Sequence, residues 1–285
     1  MSAQLAPLLL LTAAFAAQDA IQDEVREKKE EFRVEDLKAD RALISVDRKQ
    51  ARGEGMGLFM REPQGRMKRI WTREPYDACS LINRTILIGE RWTGRVVWID
   101  WDSEILWEKS GFQRPVDVEL GPDDSIVVVE NGANRVVCVD TETGKTRWVR
   151  TGLNEPFDCE VLTDGGLLVA DSGNGRVVEF DKMGKVRFET RGLGFPNTVE
   201  KLENGGVLVG TWSAGEVIEL DKQGKLVWRT RLGGTIYSAE RRPDGITTAV
   251  DGANGRIFFL DRLGRLVKTE RFQPGCVDYD TVEEL

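Results

Sequence analysis

Residues 165–189 read GGLLVADSGNGRVVEFDKMGKVRFE. An apolar run, Leu167 to Ala170, ends in the polar loop DSGNG. RVVEF follows, then the tight turn DKMG, then KVRFE. Short apolar runs rich in β-branched residues, bounded by Gly, Asn and Asp, spell strands joined by hairpin turns. Gly173 and Asn174 supply residue types that tolerate the left-handed backbone of such turns.

The pattern recurs on both sides. Aligning the acid of the tight turn gives Glu62, Asp100, Asp140, Asp181, Asp221 and Asp261, about 40 residues apart, the period of four-stranded propeller blades. The segments ahead of the turn are ERWTGRVVWID, ENGANRVVCVD, DSGNGRVVEFD, TWSAGEVIELD and DGANGRIFFLD. Trp71, Trp107, Trp148, Phe188 and Trp228 share one position after the turn, where a repeated aromatic packs between blades. Each unit opens with a further strand, such as PVDVELG or PFDCEVL. The unit that starts at Ala42 lacks one, and the chain ends on PGCVDYD, which fits the gap.

The expected fold is therefore all-β. It is a six-bladed β-propeller over residues 42–285, closed by a C-terminal strand that completes the first blade. Closure removes the open sheet edges that invite aggregation. Residues 18–41 are dense in charge with sparse apolar points, and the pattern predicts a short charged N-terminal helix. Residues 1–17 resemble a secretory signal peptide: residues 8–15 are a short apolar run and Ala14-Phe15-Ala16 is a small-x-small cleavage pattern, although no Lys or Arg precedes them. The expected location is secreted or periplasmic. No later stretch is long and apolar enough to span a membrane.

Composition removes several classes of function. The chain of 285 residues has 40 Lys and Arg against 48 Asp and Glu, a net charge of -8. No basic excess exists to bind a phosphate backbone, so nucleic acid is not an expected partner. There is no histidine, which removes Ser-His-Asp hydrolysis and His-ligated metals. Cys79, Cys138, Cys159 and Cys276 form no CxxC pair and read as small apolar residues.

GGLLVADSGNGRVVEFDKMGK resembles an NHL-type repeat, and IVVVENGANRVVCVDTETGKTRW resembles a PQQ-type propeller repeat. The resemblance covers about residues 42–281 and implies a propeller more than any activity. The quinoprotein dehydrogenases, arylsulfotransferases and amidating lyase of such families rely on His, so those activities do not carry over. The six-bladed gluconolactonase group, with its Glu/Asn/Asp metal set in the channel, remains compatible, although no motif maps those ligands residue by residue.

Alternation along the opening strands places two polar tiers toward the central channel. The first is Asp77, Asp117, Asp158, Thr198, Ser238 and Cys276; the second is Cys79, Glu119, Glu160, Glu200, Glu240 and Asp278. Like charges so close need counter-charge, a cation or protons. Arginines of the blades would supply the first. Calcium or another divalent cation, held by Asp77, Asp117, Asp158, Glu119, Glu160 and Glu200, would supply the second. Water with some protonated carboxyls is the third. Glu90, Glu130, Asp171 and Asp251 recur five residues before Arg95, Arg135, Arg176 and Arg256, a repetition that reads as scaffold.

Departures from the repeat point to ligand contact. Thr211 and Glu216 replace the acid and Arg of one unit, which adds Trp212; another carries Arg91 and Trp92 in the same loop; Tyr237 opens a third. Arg91, Trp92, Trp212 and Tyr237 are expected to form a rim on the loop face, suited to a sugar, peptide or amphipathic ligand. The resulting expectation is a non-catalytic binding propeller for a protein or small-molecule partner. The alternative is a metal-dependent hydrolase or lactonase acting through Asp117, Asp158, Glu160 and Glu200.

Overall fold

The structure, a computed structural model, describes residues 42–46, 57–61, 67–71, 77–81, 85–271 and 276–281, with side chains at 58, 69–71 and 85–271. The described strands all lie within the unit Ala39–Leu285. The leader expected over 1–17 and the helix expected over 18–41 lie outside the described residues.

Strands β1 (Ala42–Val46), β2 (Gly57–Arg61) and β3 (Met67–Trp71) come first. Blade 1 is β4 (Asp77–Leu81), β5 (Thr85–Glu90), β6 (Arg95–Asp100) and β7 (Ile105–Ser110). Blade 2 is β8 (Pro115–Gly121), β9 (Ser125–Glu130), β10 (Arg135–Asp140) and β11 (Thr146–Arg150). Blade 3 is β12 (Pro156–Val161), β13 (Leu167–Asp171), β14 (Arg176–Phe180) and β15 (Val186–Arg191). Blade 4 is β16 (Pro196–Lys201), β17 (Val207–Thr211), β18 (Glu216–Leu220) and β19 (Leu226–Arg231). Blade 5 is β20 (Ile236–Arg241), β21 (Thr247–Asp251), β22 (Arg256–Leu260) and β23 (Leu266–Arg271), and β24 (Cys276–Thr281) ends the series.

The expectation of a six-bladed propeller with a short charged N-terminal helix needs correction: five blades, not six, are found. Five blades are each built from four consecutive antiparallel strands. The remaining sheet has the order β24-β1-β2-β3 and joins the two ends of the repeat region. It departs from the other five at its sequence: residues 47–56 stand between β1 and β2, where the blades use the four-residue loops 91–94, 131–134, 172–175, 212–215 and 252–255. No α-helix occurs among the described residues; two short 3-10 turns, Asn131–Ala133 and Ser172–Asn174, lie in the loops.

The opening strands β8, β12, β16 and β20 touch in succession, and β24 meets both β20 and β4. They are the innermost strands. The core lies between blades. Val127 and Val129 pack toward blade 3 with Cys159 and Val169, while Ile126 and Val128 of the same strand pack toward blade 1 with Leu87 and Val96. A strand buried on both faces carries a continuous apolar run, as SIVVVE does. Burying each such Val contributes about 1.5–3 kcal/mol. Turn acids fix the hairpins. Asp181 Oδ1 accepts the backbone N–H groups of Met183 and Lys185, both at 2.9 Å, and Asp221 and Asp261 repeat the arrangement.

Candidate functional site

An innermost strand has one edge without a sheet partner, so its amide groups need acceptors. The channel carboxylates provide them from the preceding blade. Asp117 accepts the N–H of Cys159 at 2.8 Å, and Asp158 that of Val199 at 2.5 Å. Glu160 accepts the N–H of Lys201, and Glu200 that of Arg241 at 2.6 Å. Thr198 donates instead to the carbonyl of Ala239 at 3.4 Å. The four candidate acids Asp117, Asp158, Glu160 and Glu200 thus tie neighbouring blades together. The sequence reading considered arginine, cation and proton for these groups and missed the backbone amides.

Burial pushes the Glu200 carboxyl up to about 8, with Glu240 and Glu160 adding repulsion against the Arg241 amide. Burial also raises Glu160. Glu119 stands in the second tier on β8; Asp77 lies on β4 and Asp278 on β24. Among the described residues, no three His, Cys, Asp or Glu side chains come close enough together to hold a metal ion.

The loop acids do pair with arginine. Arg135 meets Glu130, Arg176 meets Asp171 and Arg256 meets Asp251, each at 2.5 Å, and Arg95 meets Glu90 at 3.5 Å. The acids are buried and also hold the connection into their own blade. Glu130 accepts the N–H of Gln113 at 2.7 Å, and Asp171 that of Asn154 at 2.7 Å. The chains approach closely there: a Cβ on Gly173 would stand 2.5 Å from the Asn154 side chain, so only glycine fits. In blade 4 the pin is different. Thr211 Oγ1 accepts the N–H of Glu216 at 3.1 Å, and Glu216 lies 3.5 Å from Arg229.

The rim residues gather at the channel mouth. Innermost strands begin at the end where the DSGNG-type loops lie. Each of β8, β12, β16 and β20 carries a bulge one residue in, leaving Val116, Phe157, Asn197 and Tyr237 without a cross-strand partner. Bulges re-aim side chains and recur near binding sites. Trp212 stacks tilted on Tyr237 with centroids 4.7 Å apart. Phe157 and Phe195 lie edge to face at 5.6 Å, and Trp212 stands 6.1 Å from Phe157 and 6.5 Å from Phe195. The Arg91 guanidinium lies 5.0 Å from the Trp92 ring and 5.5 Å from Phe157. Arg91, Trp92, Trp212 and Tyr237 therefore belong to one cluster spanning blades 1, 3, 4 and 5. Phe157 and Phe195 were not singled out in the sequence. Their signal is positional: one is the bulge residue, the other precedes Pro196. Beside them, Asn197 donates to the carbonyl of Tyr237 at 2.7 Å, and its buried Oδ1 has no hydrogen-bond partner.

Residues 90–203 match the family described as "Outer membrane protein assembly factor BamB", a PQQ-like repeat. That stretch carries repeats of this kind; the NHL resemblance gains no support of its own. No curated protein matches the chain. A protein of unknown function from Bacteroides caccae superposes with TM-score 0.68 at 14% identity, covering 86% of this chain and 100% of its own. Virginiamycin B lyase from Staphylococcus aureus gives TM-score 0.58 at 14% identity, covering 69% of each chain. A catalytically inactive variant of that lyase with quinupristin gives 0.61 at 12%, covering 83% of this chain and 85% of its own. At these identities the likeness is one of fold, the β-propeller. Among the described residues, no helix is long and apolar enough to cross a membrane.

Proposed function

We propose that this protein is a non-catalytic binding propeller that takes an amphipathic ligand, protein segment or small molecule, at the aromatic channel mouth. The observation that carries this reading is the continuity of the ring cluster from Arg91 and Trp92 through Phe157 and Phe195 to Trp212 and Tyr237. Aromatic faces offer large contact area at low entropic cost. Arg91 adds a cation for a carboxylate. A location outside the cytoplasm, favoured by the leader-like residues 1–17, goes with this reading.

The hydrolase alternative has less support. It asks Asp117, Asp158, Glu160 and Glu200 to bind calcium or activate water, while each already accepts a backbone N–H. The inactive lyase variant replaces a histidine, and this chain has none, so that chemistry does not transfer.

The test is a titration with N-acetylphenylalanine and, separately, with a neutral oligosaccharide, read by indole N–H resonances. Saturable shifts at Trp92 and Trp212, lost in Trp212→Ala and Tyr237→Ala, are expected. Absence of any saturable shift at the mouth with both probes sinks the reading. Added calcium that raises the melting temperature, with the rise lost in Asp158→Asn, would favour the hydrolase instead.

A further inference from the structure

On the side of the propeller, between blades 1 and 2, lies an open groove of about 430 Å³ lined by Trp98, Leu106, Trp107, Asp124, Thr141 and Glu142. Its floor is a cross-strand pair, Trp98 on β6 facing Trp107 on β7. The Trp107 indole donates to the carbonyl of Thr141 at 2.9 Å, which fixes the ring across the blade boundary. Trp98 Nε1 is buried without a hydrogen-bond partner. Leu106 is 56% exposed. Among the described residues, neither Asp124 nor Glu142 has a cation on its carboxylate.

Two other blade boundaries fill the equivalent place with a cation, while between blades 2 and 3 Cys138, Trp148 and Val161 fill it with apolar packing. Phe188 and Trp228 occupy the position of Trp107 in blades 3 and 4. There the next innermost strand supplies a cation. Lys201 Nζ bonds Glu179 at 2.9 Å and stands 5.8 Å from the Phe188 ring. Arg241 bonds Glu219 at 2.7 Å, the carboxylate that also takes the Trp228 indole N–H at 2.8 Å. Carboxylate, aromatic and cation close on one another within the protein. Between blades 1 and 2 the counterpart of Lys201 and Arg241 is Leu120, and Trp98 replaces the glutamate. The aromatic remains, the carboxylates come from the turns of blade 2, and the cation is missing. Lys109 Nζ lies beside Gly144, at the far end of the turn that carries Thr141 and Glu142, and does not line the groove.

We infer that this groove binds an alkylammonium group. Its charge sits between the tryptophan faces and the carboxylates of Asp124 and Glu142, and its apolar stem lies along Leu106. Ring quadrupole and carboxylate attract the same cation from two sides. The inference is independent of the channel mouth.

The experiment titrates n-butylammonium chloride into the isotope-labelled full chain, with sodium chloride and n-butanol as controls. Indole N–H resonances report, assigned through Trp98→Phe and Trp107→Phe. A saturating shift at Trp98 and Trp107 in the millimolar range is expected. Nα-acetyl-lysine methylamide separates the sources: tighter binding than butylammonium points to a lysine of a partner peptide, equal binding to a free amine, and both support the site. The double variant Asp124→Asn, Glu142→Gln weakens binding about fivefold or more. Leu120→Lys supplies the cation internally and abolishes it. An equal shift with n-butanol, undiminished binding by the double variant, or no saturable shift overturns the inference. If Leu120→Lys fails to fold, the double variant still decides, because both carboxylates stand at exposed positions.

Discussion

Glu200 accepts a hydrogen bond at 2.6 Å from the backbone N–H of Arg241, 41 residues further along the chain and one blade on. The carboxyl is largely buried and holds its proton up to about pH 8, against an ordinary value of 4.5. The folded state therefore binds a proton that the unfolded chain has released between these pH values. Stability from this group is full below pH 4.5 and declines as pH rises through about 8. Glu200→Gln keeps the acceptor and removes the titration. At pH 9 it should be more stable than the parent by about 1–3 kcal/mol, and at pH 5 nearly equal. Urea unfolding at the two pH values measures this; a variant less stable at pH 9 refutes it.

Asp158 performs the same task one tier higher, accepting the N–H of Val199 at 2.5 Å. Asp158→Ala leaves that amide without an acceptor and should cost about 1–3 kcal/mol. Asp158→Asn retains an acceptor oxygen and should cost less than about 1 kcal/mol. Equal losses for both, read from denaturant midpoints, would mean that the carboxylate charge matters rather than the hydrogen bond.

Blade 4 replaces the buried acid and its arginine by Thr211 and Glu216. Thr211→Asp alone introduces a fully buried carboxylate beside Glu216 and should destabilise by about 3–5 kcal/mol. Adding Glu216→Arg rebuilds the pair found in the other blades. The double variant should return to within about 1 kcal/mol of the parent, since the contacts of Glu216 with Arg229 and Arg231 are largely solvated. A double-mutant cycle without coupling would show that the repeated pair is not an independent unit.

Cys138 and Cys159 are free and buried. Burial raises both thiols, and Asp117, Glu119 and Asp158 raise Cys159 further. In a Cys79→Ser, Cys276→Ser background, labelling by a disulfide reagent at pH 8 should be limited by opening of the fold. Rapid native labelling of either thiol would contradict the packing between blades 2 and 3.

The blades were legible because their signals are local. Turn acids, loop glycines and apolar runs act within a few residues, so each copy of about 40 residues repeats them. The acid–arginine pins were legible for the same reason, being five residues apart on adjoining strands. The departures from the repeat singled out Arg91, Trp92, Trp212 and Tyr237, and the structure places these four in one cluster of contacts.

What the sequence by itself determined was the strand, the turn and the interblade core. For residues 165–189 those follow from chain-local sterics and from apolar burial on both faces of a strand. Only the tertiary structure decided the partners of the channel acids. An amide of Val199 or Arg241 becomes an available donor only when its strand lies innermost, beside the blade before it. The same placement brought Phe157 and Phe195 to the mouth, through a bulge and a connection whose side-chain directions no alternation pattern encodes. It also left a groove where Leu120 stands in place of a lysine or arginine, an absence that acquires meaning only once blades 1 and 2 are side by side.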